Sequence, residues 1–317
     1  MSTRPVAAPA KFSDPLVTAE GERRASVQLR ELETLWFNTG TLCNIECANC
    51  YIESSPSNDR LVYLSADEVA AYLDEIAQLD LRTREIGFTG GEPFMNPALP
   101  DMLEDVLSRG HEALVLTNAM RPMMRAAVRD RLAALAEEHG GRLTLRVSLD
   151  HYTAELHDTE RGPGSFEITL EGMRWLAEQG IRMDVAGRTC WGESQAGARD
   201  GYRGLFEAEG FAIDADDPAQ LVLFPEMDAA TDVPEITVDC WDILGVSPDA
   251  MMCASSRMVV KRKGAASPAV VACTLLPYDP EFELGTTLAE ALGKVQLNHR
   301  WCAQFCVLGG GSCSVAD

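Results

Sequence analysis

Apolar positions along the chain follow two alternating rhythms. Short runs rich in β-branched and aromatic residues fall at 34–39, 85–89, 113–117, 143–149, 181–186 and 221–224, with the length and composition of strands. Between them lie stretches with the three- and four-residue spacing of amphipathic helices, over roughly 97–110, 121–139, 165–180 and 197–209. The first helix is marked most clearly. Ser65 stands as its N-cap, Asp67 and Glu68 fall in its first turn, and Val69, Tyr72, Leu73 and Ile76 form one apolar face. Alternation of this kind predicts parallel strands joined by crossover helices. Counting the strand at 34–39 gives six β/α units, too few for an eight-unit barrel and suited to an open one. The expected fold class is therefore α/β, a partial (β/α)6 barrel over residues 34–225.

The flanks read differently. Residues 1–33, with Arg4, Lys11, Arg23 and Arg24 among prolines and alanines, are expected as a loosely ordered leader. Residues 226–250 are acidic and proline-punctuated, a crossing segment. Residues 251–317 form a small C-terminal unit. Within it, runs at Arg257–Lys263 and Ala269–Leu276 flank a turn at Gly264–Ser267, which predicts a β-hairpin, and 286–296 is expected to be helical.

Composition narrows the function classes. With 46% hydrophobic and 24% charged residues the chain reads as an ordinary soluble globular protein. No apolar run reaches membrane-spanning length and no signal-like segment opens the sequence, so the expected location is cytoplasmic. A net charge of -22 argues against nucleic-acid and anionic-membrane partners, because both demand a cationic surface. It suits a polycationic small substrate, or solubility alone. Lys261-Arg262-Lys263 is the one compact cationic run that could dock an acidic electron carrier.

Ten cysteines in such a chain favour metal ligation or thiol chemistry over a disulfide framework. Cys43, Cys47 and Cys50 are spaced C-x3-C-x2-C, close enough for three sulfurs to converge on one centre. A structural zinc site and an ordinary 4Fe-4S cluster both take four ligands. Three readings are therefore open: a zinc site borrowing a distant ligand, unligated core cysteines, or a cluster with one iron left open. The strand at 85–89 runs into Gly90-Gly91-Glu92-Pro93, where paired glycines allow close backbone approach to a ligand and a carboxylate can accept from an ammonium group. Both motifs fall at the carboxyl ends of successive parallel strands, where active sites of such folds form.

These two motifs resemble those of the radical SAM superfamily, Cys43, Cys47 and Cys50 matching its cluster motif and Gly90 to Pro93 its GGEP motif. The resemblance implies a 4Fe-4S cluster whose open iron chelates S-adenosyl-L-methionine (SAM), and cleavage of SAM to a 5'-deoxyadenosyl radical. It implies that Glu92 holds the methionine ammonium, and that Thr117, Asn118, Ser148 and Asp150 lie where the family binds SAM. Arg161, in Arg161-Gly-Pro-Gly-Ser-Phe166, is expected either to pair with the SAM carboxylate or to cap surface structure. The chain departs from the family at Asn49, where an aromatic residue normally contacts adenine; Tyr51 is the expected substitute.

A second set, Cys253, Cys273, Cys302, Cys306 and Cys313, follows the barrel. A hairpin with a cysteine near each free end brings both sulfurs to one place. Four thiolates suit zinc as well as iron. The arrangement resembles the twitch domain, a shortened SPASM-like unit carrying an auxiliary 4Fe-4S cluster. That resemblance assigns Cys253, Cys273, Cys302 and Cys306, with Cys313 able to replace one.

Cys190 and Cys240 are left over as small buried hydrophobes or as hydrogen-atom donors. On this reading the expected function is epimerisation of a carbohydrate-type small molecule, such as a sugar or aminoglycoside-like compound, with a cysteine thiol returning hydrogen. Dehydrogenation through the auxiliary cluster, peptide modification and a non-enzymatic iron-sulfur carrier are the alternatives. A one-electron donor such as flavodoxin or ferredoxin is implied as a partner.

Overall fold

The computed structural model of the chain describes residues 10–311. In chain order the elements are β1 (Ser26–Val27), β2 (Thr34–Asn38), α1 (Ala66–Gln78), β3 (Glu85–Thr89), α2 (Leu99–Ser108), β4 (Glu112–Thr117), α3 (Ala126–His139), β5 (Leu143–Ser148), α4 (Ala154–Arg161) and α5 (Ser165–Glu178). They continue with β6 (Arg182–Arg188), α6 (Gln195–Glu209), β7 (Leu221–Phe224), α7 (Cys240–Leu244), β8 (Ser256–Val260), β9 (Ala269–Val271), β10 (Glu283–Gly285) and β11 (Val295–Gln296). β2 to β7 lie side by side in sequence order, all parallel, with the connecting helices between them. This is the open partial (β/α)6 barrel. At its start Ser65 caps α1 as expected, in a reciprocal capping box with Glu68.

Period-two alternation decides which side chains face the helices and which face the barrel interior. Leu35, Phe37, Ile86, Phe88, Val115, Leu145, Val147, Val185 and Leu221 pack in one core with the apolar faces of α1, α2, α3, α5 and α6. The opposite parity carries the interior. Buried Thr34, Arg146 and Asp184 and half-buried Glu85 form a polar floor, where Thr34 Oγ1 donates to Glu85 at 3.2 Å and Arg146 pairs with Asp184 at 3.5 Å. Above it stands Trp36, paired in register with Gly87. Higher on the same face come Leu116, Ser148, Ala186, Arg188 and Phe224.

The C-terminal hairpin is continuous with this sheet. β8 pairs parallel with β2, β9 antiparallel with β8, and β10 with β9, giving a nine-stranded sheet in the order β10-β9-β8-β2-β3-β4-β5-β6-β7.

Three expectations are corrected. The helix expected over 286–296 is a single 3-10 turn at Glu290–Leu292 followed by β11. The cause is competition for backbone groups: the buried Arg257 guanidinium takes the carbonyls of Ala291 and Gly293 at 2.8 Å each, and β11 pairs with β1. The stretch just ahead of β2 is packed over residues 24–32, because Ala25, Val27, Leu29 and Leu32 are buried and the buried Arg24 side chain pairs with Glu235. Finally, α4 is a helix that the apolar pattern did not mark, since only His157 and Glu160 of its residues are buried.

Gly87 makes the interior possible. A Cβ there would stand 2.3 Å from the Trp36 ring. Gly87→Ala is expected to destabilise the fold by about 2 kcal/mol through overpacking, read as a lower urea midpoint at constant slope, and Trp36→Leu on that background should recover part of the loss.

Candidate active site

The two motif loops are docked on one another at the carboxyl ends of β2 and β3. Thr39 N donates to Thr89 O at 2.8 Å, Gly91 N to Gly40 O at 2.9 Å and Glu92 N to Leu42 O at 3.2 Å. A Cβ on Gly91 would lie 2.2 Å from the Leu42 carbonyl oxygen, and one on Gly90, whose φ is +138°, 2.4 Å from that of Gly40. The glycine pair is thus required by the cysteine loop itself, where the sequence had pointed to a ligand. Within that loop Cys43 N donates to Ser55 O at 3.0 Å and Ser54 N to the Cys50 sulfur at 3.3 Å.

Glu92 is buried behind these loops. Its carboxylate accepts from Phe94 N at 3.1 Å, Thr117 Oγ1 at 2.9 Å and Asn118 N at 2.9 Å, so it clamps β3 to β4. Burial pushes its pKa up to about 7, against the pull of those hydrogen bonds. Three of roughly four acceptor sites are filled, which leaves room for one further donor.

A cavity of about 460 Å³ opens over these loops, lined by Cys43, Cys47, Cys50, Tyr51, Gly90, Gly91, Thr117, Asn118, Ser148, Asp150 and Arg161. Glu92 and Pro93 lie outside its lining, as do Cys190 and Cys240. Arg161 forms a bidentate pair with Asp150, at 2.7 and 3.0 Å. Burial opposes both charges, but the pairing holds Asp150 below the usual carboxylate range and keeps Arg161 charged, helped by the thiols of Cys47 and Cys43. Burial pushes the Cys43 thiol up to about 12 and raises that of Cys47, so neither ionises readily without a metal.

Sequence reasoning missed the polar chain across the cavity mouth. Asn49 donates to both Glu160 oxygens, at 3.0 and 3.1 Å, and Arg188 bridges Glu160 at 2.7 Å and Glu226 at 2.8 Å. The inward parity of Arg188 at the end of β6 was the available signal. Cys190 stands beside this chain. Burial first, and Glu226 and Glu160 after it, push its thiol up to about 11 despite Arg188. Cys240 is remote, on α7, where its sulfur takes the Thr237 N–H at 3.4 Å.

The auxiliary cysteines also come together. Cys253, Cys273, Cys302 and Cys306 line one small apolar cavity with Met251, Met252 and Phe282; Cys313 lies outside the described residues. Cys302 and Cys306 sit on a π-helical turn, Cys302–Val307. Leu275 and Trp301 line both cavities, so the cavity that holds the first cysteine set adjoins the one that holds the second at these two side chains. Arg257, whose guanidinium also donates to Cys253 O at 2.7 Å, places a buried cation beside this second set. Among the described residues no three His, Cys, Asp or Glu side chains converge as tightly as one metal ion requires. Thiolates on a four-iron cluster bind separate irons, and both sets, each next to an arginine, offer the donors it uses.

Residues 37–189 match the model of the radical SAM superfamily, and the chain contains a radical SAM domain. The chain is 32% identical over 145 residues to the antilisterial bacteriocin subtilosin biosynthesis protein AlbA of Bacillus subtilis (strain 168), covering 45% of this chain and 30% of that protein. Mycofactocin maturase MftC of Mycobacterium tuberculosis (strain CDC 1551 / Oshkosh) is 30% identical over 139 residues, 44% of this chain and 33% of that one. The chain thus spans about a third of the length of these relatives. Streptococcus suis SuiB bound to S-adenosylmethionine shares the fold, with a TM-score of 0.58 at 11% identity over 81% of this chain and 64% of that one.

His157 supports the cavity from below. It is fully buried, its Nδ1 accepts from Asp150 N at 3.2 Å, and burial, seconded by Arg161, lowers its pKa to about 4. A His depressed in the folded state binds fewer protons than the unfolded chain between its folded value and about 6.5. Stability is expected to fall as pH drops through that window, by up to about 1.4 kcal/mol per unit. Denaturation of His157→Gln across the same pH range should show that part of the slope removed.

Proposed function

We propose that the radical SAM domain makes this chain an enzyme that oxidises a peptide or peptide-derived substrate, with a 4Fe-4S cluster on Cys43, Cys47 and Cys50 and an auxiliary one on Cys253, Cys273, Cys302 and Cys306. The observation that carries the oxidative outcome is the adjacency of the two cavities, which share Leu275 and Trp301 in their linings. When bound, the first cluster supplies an electron to the sulfonium of SAM, yielding a deoxyadenosyl radical, and the second offers a place for the electron lost by the substrate. The chain's own residues do the rest. Asp150, Arg161, Ser148 and Asn118 present polar groups to SAM on the barrel side. Tyr51, Phe224, Trp301 and Phe305 add aromatic side chains to the same lining, with the Phe224 and Phe305 rings 5.7 Å apart, and shield a substrate from water. Arg188, held between Glu160 and Glu226, offers a fixed cation for a substrate carboxylate or carbonyl.

A peptide-type substrate is favoured by the relatives, one named for bacteriocin biosynthesis and one a mycofactocin maturase. The carbohydrate-type substrate expected from the sequence has no counterpart in these names. Epimerisation is the second reading, and one observation keeps it: Cys190 follows β6, beside Glu226 and beside Arg188, which lines the cavity. Cys240 has no such support.

Iron analysis of anaerobically reconstituted protein is expected to give about eight irons in the wild type and about four in either Cys43→Ala or Cys302→Ala. Cys302→Ala should still cleave SAM, whereas Cys43→Ala should not. About four irons in the wild type would remove the auxiliary cluster. Product two hydrogens lighter than substrate supports oxidation. Product of unchanged composition carrying one solvent deuterium, and abolished in Cys190→Ala, would support epimerisation.

A further inference from the structure

The radical-forming site has a second side. Beyond the cysteine loop from the main cavity lies an open groove of about 520 Å³, lined by Asn44, Ile45, Met95, Met120, Arg121, Pro122, Arg125 and Ile168. Ile45 lines both the groove and the cavity, so one residue of the cysteine loop separates the outside from the space beside Cys43. Asn44 ties the groove floor to that site, because Asn118 Nδ2 donates to its Oδ1 at 2.9 Å.

The charge of this groove is opposite to that of the molecule. The chain carries 49 acidic and 27 basic residues, yet the groove lining holds two arginines and no carboxylate. Arg121 is exposed and makes no ion pair or hydrogen bond among the described residues. Arg125, also exposed, donates to the carbonyls of Pro122 and Phe94 and forms no ion pair among the described residues. The nearest carboxylate on the loop, Glu46, is exposed and outside the lining. The cationic run singled out in the sequence is by contrast neutralised: Lys261 pairs with Glu68, Arg262 with Glu283 and Lys263 with Asp59.

We infer that this groove is the docking surface for an acidic one-electron carrier protein of the flavodoxin or ferredoxin type. The inference rests on the radical SAM reading. One electron leaves the reduced carrier and enters the cluster on the cysteine loop, with no bond made or broken and no proton moved. An acidic partner is steered to Arg121 and Arg125 and repelled by most of the remaining surface, so a small local patch selects the orientation that brings its redox centre to Ile45.

The test compares a protein donor with one that needs no docking surface. Binding of oxidised flavodoxin to the cluster-reconstituted protein, by titration calorimetry at low and high salt, is expected to weaken about tenfold in Arg121→Glu. SAM cleavage driven by reduced flavodoxin should fall by a similar factor, about tenfold in kcat/KM, while dithionite-driven cleavage and the cluster's EPR spectrum stay unchanged. Arg182→Glu, an equal charge change at the opposite end of the barrel, should match the wild type. Unchanged flavodoxin affinity in Arg121→Glu, equal loss with dithionite, or equal loss in Arg182→Glu would each overturn the assignment. Failure of the wild type to cleave SAM even with dithionite would instead overturn the radical SAM reading, and this inference with it.

Discussion

The structure depends on the contact between two loops. The turn after β3 lies directly on the backbone of the loop after β2, with Gly90 and Gly91 leaving no room for a Cβ against the Gly40 and Leu42 carbonyls. Three backbone hydrogen bonds register the loops, and Glu92 then extends the same rigid unit to β4 through Thr117 and Asn118. Three strand ends are thereby fixed relative to one another before any ligand is considered. A catalytic constellation needs that rigidity, because loops alone hold side chains poorly and a small misplacement costs much of the rate.

The electrostatics of the site follow from its burial. Removing thiols and carboxylates from water disfavours their charged forms, and the chain offsets this with cations placed singly beside each group. Arg161 serves Asp150 and the thiols of Cys47 and Cys43. Arg257 lies beside Cys253. Arg188 is held between Glu160 and Glu226. In a molecule of net charge -22 these buried and half-buried arginines, with Arg121 and Arg125 at the groove, put positive potential beside the two cysteine sets and the cavity.

Much of this was legible in the residues. The strand runs at 85–89 and 221–224 are observed at those positions, because alternation and β-branching report directly on a buried pleated surface. The cysteine spacings pointed to two sets that the structure brings to two cavities. The misses share one cause. Residues 286–296 read as helical in isolation, but their carbonyls are claimed by Arg257, more than thirty residues earlier in the chain. The segment ahead of β2 read as loose, yet its backbone pairs with β11 near the other end. Local pattern carries no information about partners that arrive from far along the sequence.

Sequence alone determined the chemistry on offer: three closely spaced thiols beside a glycine-rich turn, a second thiol group, and the strand–helix rhythm that sets both motifs at the same end of a parallel sheet. Spacing and side-chain type suffice for that, because they act within a few residues. Only the tertiary structure decided which groups meet. It made Gly90 and Gly91 a seat for the cysteine loop, and it left both Cys190 and Cys240 outside the cavity lining, with Cys190 beside Arg188 and Glu226. It set Leu275 and Trp301 in the linings of both cysteine-bearing cavities, and it gathered a cationic patch from residues that look unremarkable in sequence. Distances and charge pairing between separate loops are properties of the folded arrangement, since each loop's position is fixed by the strand it leaves and the neighbours it packs against.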